Sequence, residues 1–221
     1  LGGGEVKLID MVGAYSVFGQ EGIKHRQSFI LEIQNSSGEI LEKYLDQAIQ
    51  IADPQYAKLI NNILSDNEAR APLFQNGFDL TVFQDREVAL KTGTTNDYRD
   101  AWVIGYTPSF VVGIWVGNND NSPMHKQGGS ILAAIPIWHS FMNKYFESNP
   151  IIEFFNRPES ITTEKPILNG EYINNNNEIH NILYYINKND PLGPTPTNPQ
   201  NDPQFLNWET PVNYWAPKIV P

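Results

Sequence analysis

Apolar residues fall into two kinds of spacing along this chain, and the kind changes with position. Leu8, Met11, Val12, Tyr15 and Phe18 recur at helical spacing, with Gly19 and Gly22 following as stop signals, so the spacing predicts a core-facing helix. Residues 28–34 are strand-like, Asn35-Ser36-Ser37-Gly38 reads as a turn, and residues 39–44 can return, which predicts a peripheral hairpin. Asp53 as N-cap with Pro54 at the first helical position opens a second helix ending near Ser65. Its Tyr56, Leu59, Ile60, Ile63 and Leu64 form one apolar face. Residues 87–94, 101–106 and 110–117 then read as three successive strands, with Thr107-Pro108-Ser109 turning between the last two. Short links favour an antiparallel sheet. Ser130 is expected to cap a last helix carrying Ile131, Ile135, Trp138, Met142 and Tyr145, bent by Pro136, that covers one sheet face. The fold class is therefore α+β, an antiparallel sheet packed with helices.

This order gives way near Asn149. Residues 191–221 hold 8 of the 16 prolines, and residues 174–177 are an uninterrupted asparagine run. The expected organisation is a folded portion over 1–148 and an irregular Asn/Pro-rich extension over 149–221. In the extension Ile182 to Ile186 can form one strand, residues 191–203 read as extended or mobile, and Phe205, Trp208, Tyr214 and Trp215 are candidates to pack back on the parent protein. A formal net charge of −10 argues against a nucleic-acid or anionic-lipid surface, because both reward clustered Lys and Arg. Cysteine is absent, which excludes a disulfide framework and any thiolate metal site. No apolar run approaches the roughly 20 residues that span a bilayer, and the first residue is Leu1 rather than Met. The chain reads as a piece of a longer protein.

Glu87-Val88-Ala89-Leu90-Lys91-Thr92-Gly93-Thr94-Thr95 is where an apolar strand runs directly into reactive polar groups. An ammonium, three hydroxyls and one residue without a side chain suit the capture of an extended peptide ending in a carboxylate, added to a sheet edge through its backbone. Period-two geometry sets Thr92 and Thr94 on one side of the strand and Lys91 on the other. Gly93 permits close approach of a ligand backbone.

Lys91-Thr92-Gly93-Thr94-Thr95, then residues 96–102 (Asn-Asp-Tyr-Arg-Asp-Ala-Trp), Gly105-Tyr106-Thr107-Pro108 and Ile114-Trp115-Val116-Gly117, resemble the final motif block of the penicillin-binding proteins. The likeness is greatest to the transpeptidase domain of the bifunctional, class A type. Leu1 to Val6, Tyr15 to Phe18, and Gly128-Gly129-Ser130 through Trp138 also match, so the resemblance covers residues 1 to about 147. It implies a lobe of the kind shared by penicillin-binding transpeptidases and serine β-lactamases. It also implies acyl transfer between peptidoglycan stem peptides in cell-wall synthesis: a serine attacks a D-Ala-D-Ala bond, an amine of a neighbouring stem resolves the acyl-enzyme, and β-lactams acylate the same serine. Carried over to this block, Lys91 supplies positive potential and helps proton movement. Thr92 and Thr94 bind the substrate carboxylate, and the Thr94 backbone N–H is one oxyanion donor, with Gly93 and Thr95 beside them. No cofactor is implied. The location implied is the extracytoplasmic face of the bacterial membrane, with an anchor, the rest of the transpeptidase domain and often a glycosyltransferase domain upstream.

Two motifs of that family are missing. S-x-x-K, which holds the nucleophile and its base, is absent because no lysine has a serine three residues before it. Without an adjacent activating group serine is a weak nucleophile, so the chain alone is expected to be inactive. Ser65-Asp66-Asn67 has the letters of the second motif, S-x-N, but lies only 24 residues before Lys91 at a predicted helix end, and is read as a polar helix terminus. Residues 67–83 lack the Gly-Thr-Gly turn of many relatives. Asn118 to Ser122 lacks the ligand ladder of a calcium loop, and His25, His125, His139 and His180 lack metal-ligand spacing. Asp97, Arg99 and Asp100 stand at the rim of the site, where Arg99 and Asp100 are expected to serve as an ion pair or turn cap. K-T-G-T also follows the phosphorylated aspartate of P-type ATPases, but Leu90 occupies that position. The remaining alternative is a non-catalytic peptidoglycan-binding or scaffold protein that keeps only this strand.

Overall fold

The computed structural model describes residues 4–125 and 128–160, and beyond them only 168, 187, 189–194, 197–198, 201 and 203–207. The chain divides into two compact units, Leu1–Pro158 and Glu159–Pro221.

The first unit is built on a three-stranded antiparallel sheet. Its strands, named here β5 (Ala89–Thr94), β6 (Asp100–Tyr106) and β7 (Val111–Gly117), lie in that order. Leu90 is opposite Gly105, which is opposite Val112, so alternate residues assemble two faces. On one face Val88, Leu90, Ala101, Val103 and Val112 pack with Ile135, Trp138, Met142 and Phe146 of the last helix. Trp138 is fully buried against Gly105, where an added methyl would fall 2.2 Å from the indole Cζ2. Glycine is required there so that the helix can close on the sheet. The other face is covered by the first helix, α1 (Leu8–Gly19), whose Val12 occupies the space a side chain at Gly113 would need. Tyr106 and Ala89 continue this second core with Phe155. The α+β class and the antiparallel sheet between helices are as the sequence pattern predicts.

Several elements differ in detail. The last helix is two: α4 (Ser130–Ala133) and α5 (Ile135–Ser148), broken at Ala134. Pro136 has no N–H to give a continuous helix, so the break comes just before it. The N-cap of α4 is Gly129, not Ser130, whose side chain is used elsewhere. Residues 67–74 form a helix, α3 (Asn67–Phe74), that the apolar pattern does not announce. Its start is fixed by Asp66 Oδ1, which accepts from the Ala69 N–H at 2.9 Å. Helix α2 (Pro54–Leu64) begins where expected, with Asp53 accepting from the Gln55 N–H at 2.8 Å. Its apolar face, however, points mainly away from the unit: Tyr56 is 66% and Ile63 64% exposed, whereas Ala57 and Asn61 are buried. Asn61 bonds the Tyr106 hydroxyl at 2.8 Å.

The hairpin forms as expected from β2 (Glu32–Gln34) and β3 (Ile40–Lys43), turned at Asn35 to Gly38 with Gly38 at φ +79°. It is peripheral, and all its strand residues are exposed. Its base is clasped by His25 and Asp46 at 2.7 Å beside the short pair β1 (Ile23–Lys24) and β4 (Ile49–Gln50). After α5 the chain stays on the first unit, because Phe155 is buried and its N–H donates to Glu87 Oε2 at 3.1 Å. In the second unit the Asp190 N–H donates to the Asn187 carbonyl at 3.0 Å. The readings for residues 182–186, Trp208, Tyr214 and Trp215 fall outside the described residues.

Candidate active-site strand

The stretch Lys91 to Thr94 ends β5, and β5 is an edge strand. One side is hydrogen-bonded to β6, with Lys91 opposite Ile104 and Thr94 opposite Ala101, while no strand among the described residues lies on the other. An edge of this kind offers a row of backbone donors and acceptors to an extended ligand. Ala89 and Leu90, inside both cores, hold the strand at its start. The burial then falls away toward Lys91, which is exposed.

The Lys91 ammonium bonds only the carbonyl of Thr92, at 2.5 Å, and no carboxylate pairs with it among the described residues. In a chain of net charge −10, an unneutralised cation at a strand edge is a local field for an anionic group. Thr92 and Thr94 share the face of β5 that carries Leu90, as the two-residue period requires. The structure divides their duties. The Thr92 hydroxyl has no hydrogen-bond partner among the described residues, and Thr92 is half-buried. The Thr94 hydroxyl donates to Ser130 Oγ at 3.2 Å and accepts the Ser130 N–H at 3.1 Å. At Gly93 an added methyl would meet only the Trp102 Cβ, at 3.7 Å. Packing within the chain does not demand glycine there, so the space it leaves is free for a ligand backbone.

Thr95 belongs to the turn rather than to the open edge. Its hydroxyl donates to Asp100 Oδ2 at 2.9 Å and accepts the Asp100 N–H at 2.8 Å, and Trp115 Nε1 donates to Asp100 Oδ1 at 2.8 Å. Asp100 is thus a turn cap, as expected. Arg99 donates to the Asn121 carbonyl and lies 4.0 Å from Asp97 Oδ2. Asp97 and Tyr98 take positive φ, +60° and +55°, inside this turn. For a tyrosine that conformation stores strain of order 1–3 kcal/mol, and the Met124 N–H, which donates to the Tyr98 carbonyl at 2.9 Å, helps hold it.

Two supports at the base of the strand, Arg70 and Glu87, were not readable from spacing. Arg70 is buried, and its guanidinium donates to the carbonyls of Thr81 at 2.7 Å, Val88 at 3.2 Å and Leu64. Burial pulls its pKa down to about 10, which still leaves it charged at neutral pH. Glu87 collects Ser65 Oγ at 2.8 Å and Arg157 Nη1 at 2.9 Å on one oxygen, and the Phe155 N–H on the other. Ser65-Asp66-Asn67 is therefore structural: Ser65 anchors Glu87, four residues and about 13 Å of strand from Lys91, and Asp66 caps α3. Asn118 to Ser122 is a turn in which Asp120 Oδ1 accepts the Ser122 N–H and hydroxyl, holding that carboxyl below its ordinary value. Among the described residues no group of acidic or histidine side chains is arranged to hold a metal ion. There too, no helix is long and apolar enough to cross a membrane.

No protein-family model matches the chain. Its sequence is 31% identical over 161 residues to penicillin-binding protein 1A of Aquifex aeolicus, covering 73% of this chain and 22% of that protein. It is likewise 31% identical over 175 residues to penicillin-binding protein 1A of Mycolicibacterium smegmatis, covering 73% of the chain and 21% of the relative. The chain thus spans about a fifth of the length of these curated relatives. The crystal structure of penicillin-binding protein 1A from Haemophilus influenzae superposes with a TM-score of 0.62 at 19% identity, covering 79% of this chain and 31% of that one. Penicillin-binding protein 3 of Mycobacterium tuberculosis, complexed with aztreonam, gives 0.51 at 19% identity, over 70% of this chain and 38% of that one. By relatives in sequence and by fold, the chain belongs to the penicillin-binding proteins, among which its sequence relatives are of the 1A type, and it carries part of their transpeptidase-domain fold.

Proposed function

We propose that this chain is the substrate-binding lobe of a peptidoglycan D,D-transpeptidase, a piece of a longer enzyme that takes D-Ala-D-Ala stem peptides and is acylated by β-lactams. The observation that carries this reading is the open edge of β5, where an unpaired ammonium, an uncommitted hydroxyl and a vacant glycine face follow one another within three residues. A stem peptide lies along this edge and pairs with its backbone. Lys91 provides positive potential beside the nucleophile and assists proton movement. Thr92 offers its free hydroxyl to the terminal carboxylate, and Thr94 shares that end of the site. The Thr94 N–H is an oxyanion donor, a role typically worth about 3–4 kcal/mol of barrier. Gly93 and Thr95 complete the edge, the first by leaving room and the second by holding the turn.

The nucleophile comes from upstream. None of the ten lysines follows a serine by three positions, and a transpeptidase serine needs such a partner. The apolar face of α2 supports the same conclusion, since Tyr56 and Ile63 stay 66% and 64% exposed in the first unit. The preceding part of the transpeptidase domain covers that face and brings S-x-x-K and S-x-N to Lys91. A membrane anchor and, in a bifunctional protein, a glycosyltransferase domain precede it, so the lobe works on the extracytoplasmic side of the bacterial membrane. No cofactor enters this chemistry.

A second reading has one observation in its favour, the same missing serine: a non-catalytic peptidoglycan-binding or scaffold protein that keeps the strand. Sequencing the gene upstream of the Leu1 codon separates the two. S-x-x-K followed by S-x-N in frame is the expected result, and an open reading frame without them favours the binding protein.

A further inference from the structure

We propose that Ser130 is a positioning residue of this site, holding Thr94 and with it the oxyanion donor at the end of β5; this rests on the transpeptidase reading above. Thr94 is the last residue of an edge strand, tied by strand pairing on one side only, to Ala101. An end held on one side frays unless something else fixes it. Both polar contacts of its hydroxyl go to one residue 36 positions further on. Thr94 Oγ1 donates to Ser130 Oγ at 3.2 Å, and the Ser130 N–H donates to Thr94 Oγ1 at 3.1 Å.

Ser130 is itself 7% exposed and opens α4, which leads through Ala134 into α5, and Ala134, Ile135, Trp138 and Met142 are fully buried in the core. The strand end is thereby fastened to the buried core of the unit. Two hydrogen bonds to one hydroxyl fix the Thr94 side-chain rotamer and so the orientation of the adjoining peptide plane. The neighbouring turn, closed by Thr95 and Asp100, holds the far side of Thr94. The Thr94 backbone N–H, between the Gly93 pairing to Trp102 and these fastenings, is kept in one direction, as a preorganised oxyanion donor must be. Ser130 does not need to touch substrate to do this.

The test uses the full-length protein and a fluorescent penicillin, separating the acylation rate from the affinity of the complex that precedes it. Ser130→Ala should slow acylation about three- to tenfold, the worth of one neutral hydrogen bond, and change the prior affinity less than about twofold. Ser130→Thr, which keeps the hydroxyl, should restore the rate. In a Thr94→Val background the same Ser130→Ala change should add nothing, because its partner is already gone. Gly129→Ala serves as the control: its methyl would sit 3.8 Å from Thr94 Oγ1, an ordinary contact, and both hydrogen bonds survive.

A Ser130→Ala protein acylating at the wild-type rate would overturn the proposal, as would effects that multiply in the double variant, which mark Ser130 as a general structural residue. Should Ser130→Ala fail to fold, Thr94→Val removes the same pair of contacts from the other side and must slow acylation alone. Wild-type protein that takes up no penicillin defeats the transpeptidase reading itself, and this is distinct from labelled wild type with an unaltered Ser130→Ala variant.

Discussion

The sheet and the α2–hairpin region contain equally clear apolar patterns, yet only one of them is satisfied within the first unit. Val103, Trp138, Ile135 and Met142 are fully buried around β6, whereas Phe29 is 92%, Leu45 74% and Tyr56 66% exposed. An amphipathic pattern thus specifies a face to be covered but not which part of a protein covers it. In the sheet the covering helices α1 and α5 come from the same unit, drawn close by Gly113 and Gly105. Around α2 the cover, in the reading proposed here, belongs to the preceding part of the domain. The active strand joins the two situations. Its start is embedded in the satisfied core, and its end lies on an open sheet edge.

The largest effect is expected at Trp138. Trp138→Ala in the full-length protein should cost about 3–5 kcal/mol in urea unfolding, the usual penalty for emptying a buried aromatic site. A cost below about 1 kcal/mol would mean that the sheet does not depend on α5. Next in size is Ile63→Ala, which in the full-length protein should cost about 2 kcal/mol if the α2 face is covered there. A change within about 0.5 kcal/mol would show that face to be bare in the whole protein as well.

The smallest effect concerns pH. The hydrogen bond from His25, followed by that from Tyr44, holds the Asp46 carboxyl below its ordinary value of 3.8. Its stabilising contribution is therefore full above the ordinary carboxylate range and is lost as pH falls through the depressed value. Acidification should loosen the hairpin base before the sheet, read as faster amide exchange at Ile23, Lys24 and Ile51 while β6 stays protected. Simultaneous loss of protection in both would remove the distinction between the regions.

Much of the sheet was legible because each strand is short, half-buried and followed by a local turn. The period of two in residues 87–94, 101–106 and 110–117 matches the observed register to within two residues at each end. The hairpin was legible for the same reason, with Asn35 Oδ1 accepting from Ser37 and Glu39 N–H groups across four residues. Helix α3 was not, since Asn67 to Phe74 has no apolar period and contains Pro72, and its stability comes from Asp66 and from the burial of Phe74 and Arg70.

At the candidate site, the proposed stretch Lys91 to Thr95 could be singled out from residue chemistry, and Asp100 as a turn cap follows from its place after a strand. Ser130 and Arg70 could not be given these duties. Their partners lie 36 residues away for Ser130 and up to 18 for Arg70, all three of the latter being carbonyls at or next to the ends of other elements. No spacing rule links a side chain to a distant main-chain oxygen. Nor does the pattern say that α2 turns Ala57 and Asn61 inward: the polar Asn61 is buried because its amide donates to the Phe18 carbonyl at 2.8 Å and its oxygen accepts from Tyr106.

The Lys91 to Thr94 edge is proposed as the substrate-binding wall of a serine acyl-transfer site. It is tested most directly by the rate at which a fluorescent penicillin acylates the full-length protein and its Lys91→Ala variant. Lys91 is exposed and outside both cores, so the variant should keep the wild-type unfolding midpoint while acylation falls sharply, by a factor of about 100 or more if Lys91 acts on the transition state. Acylation of the folded Lys91→Ala protein at the wild-type rate would contradict the role given to this strand.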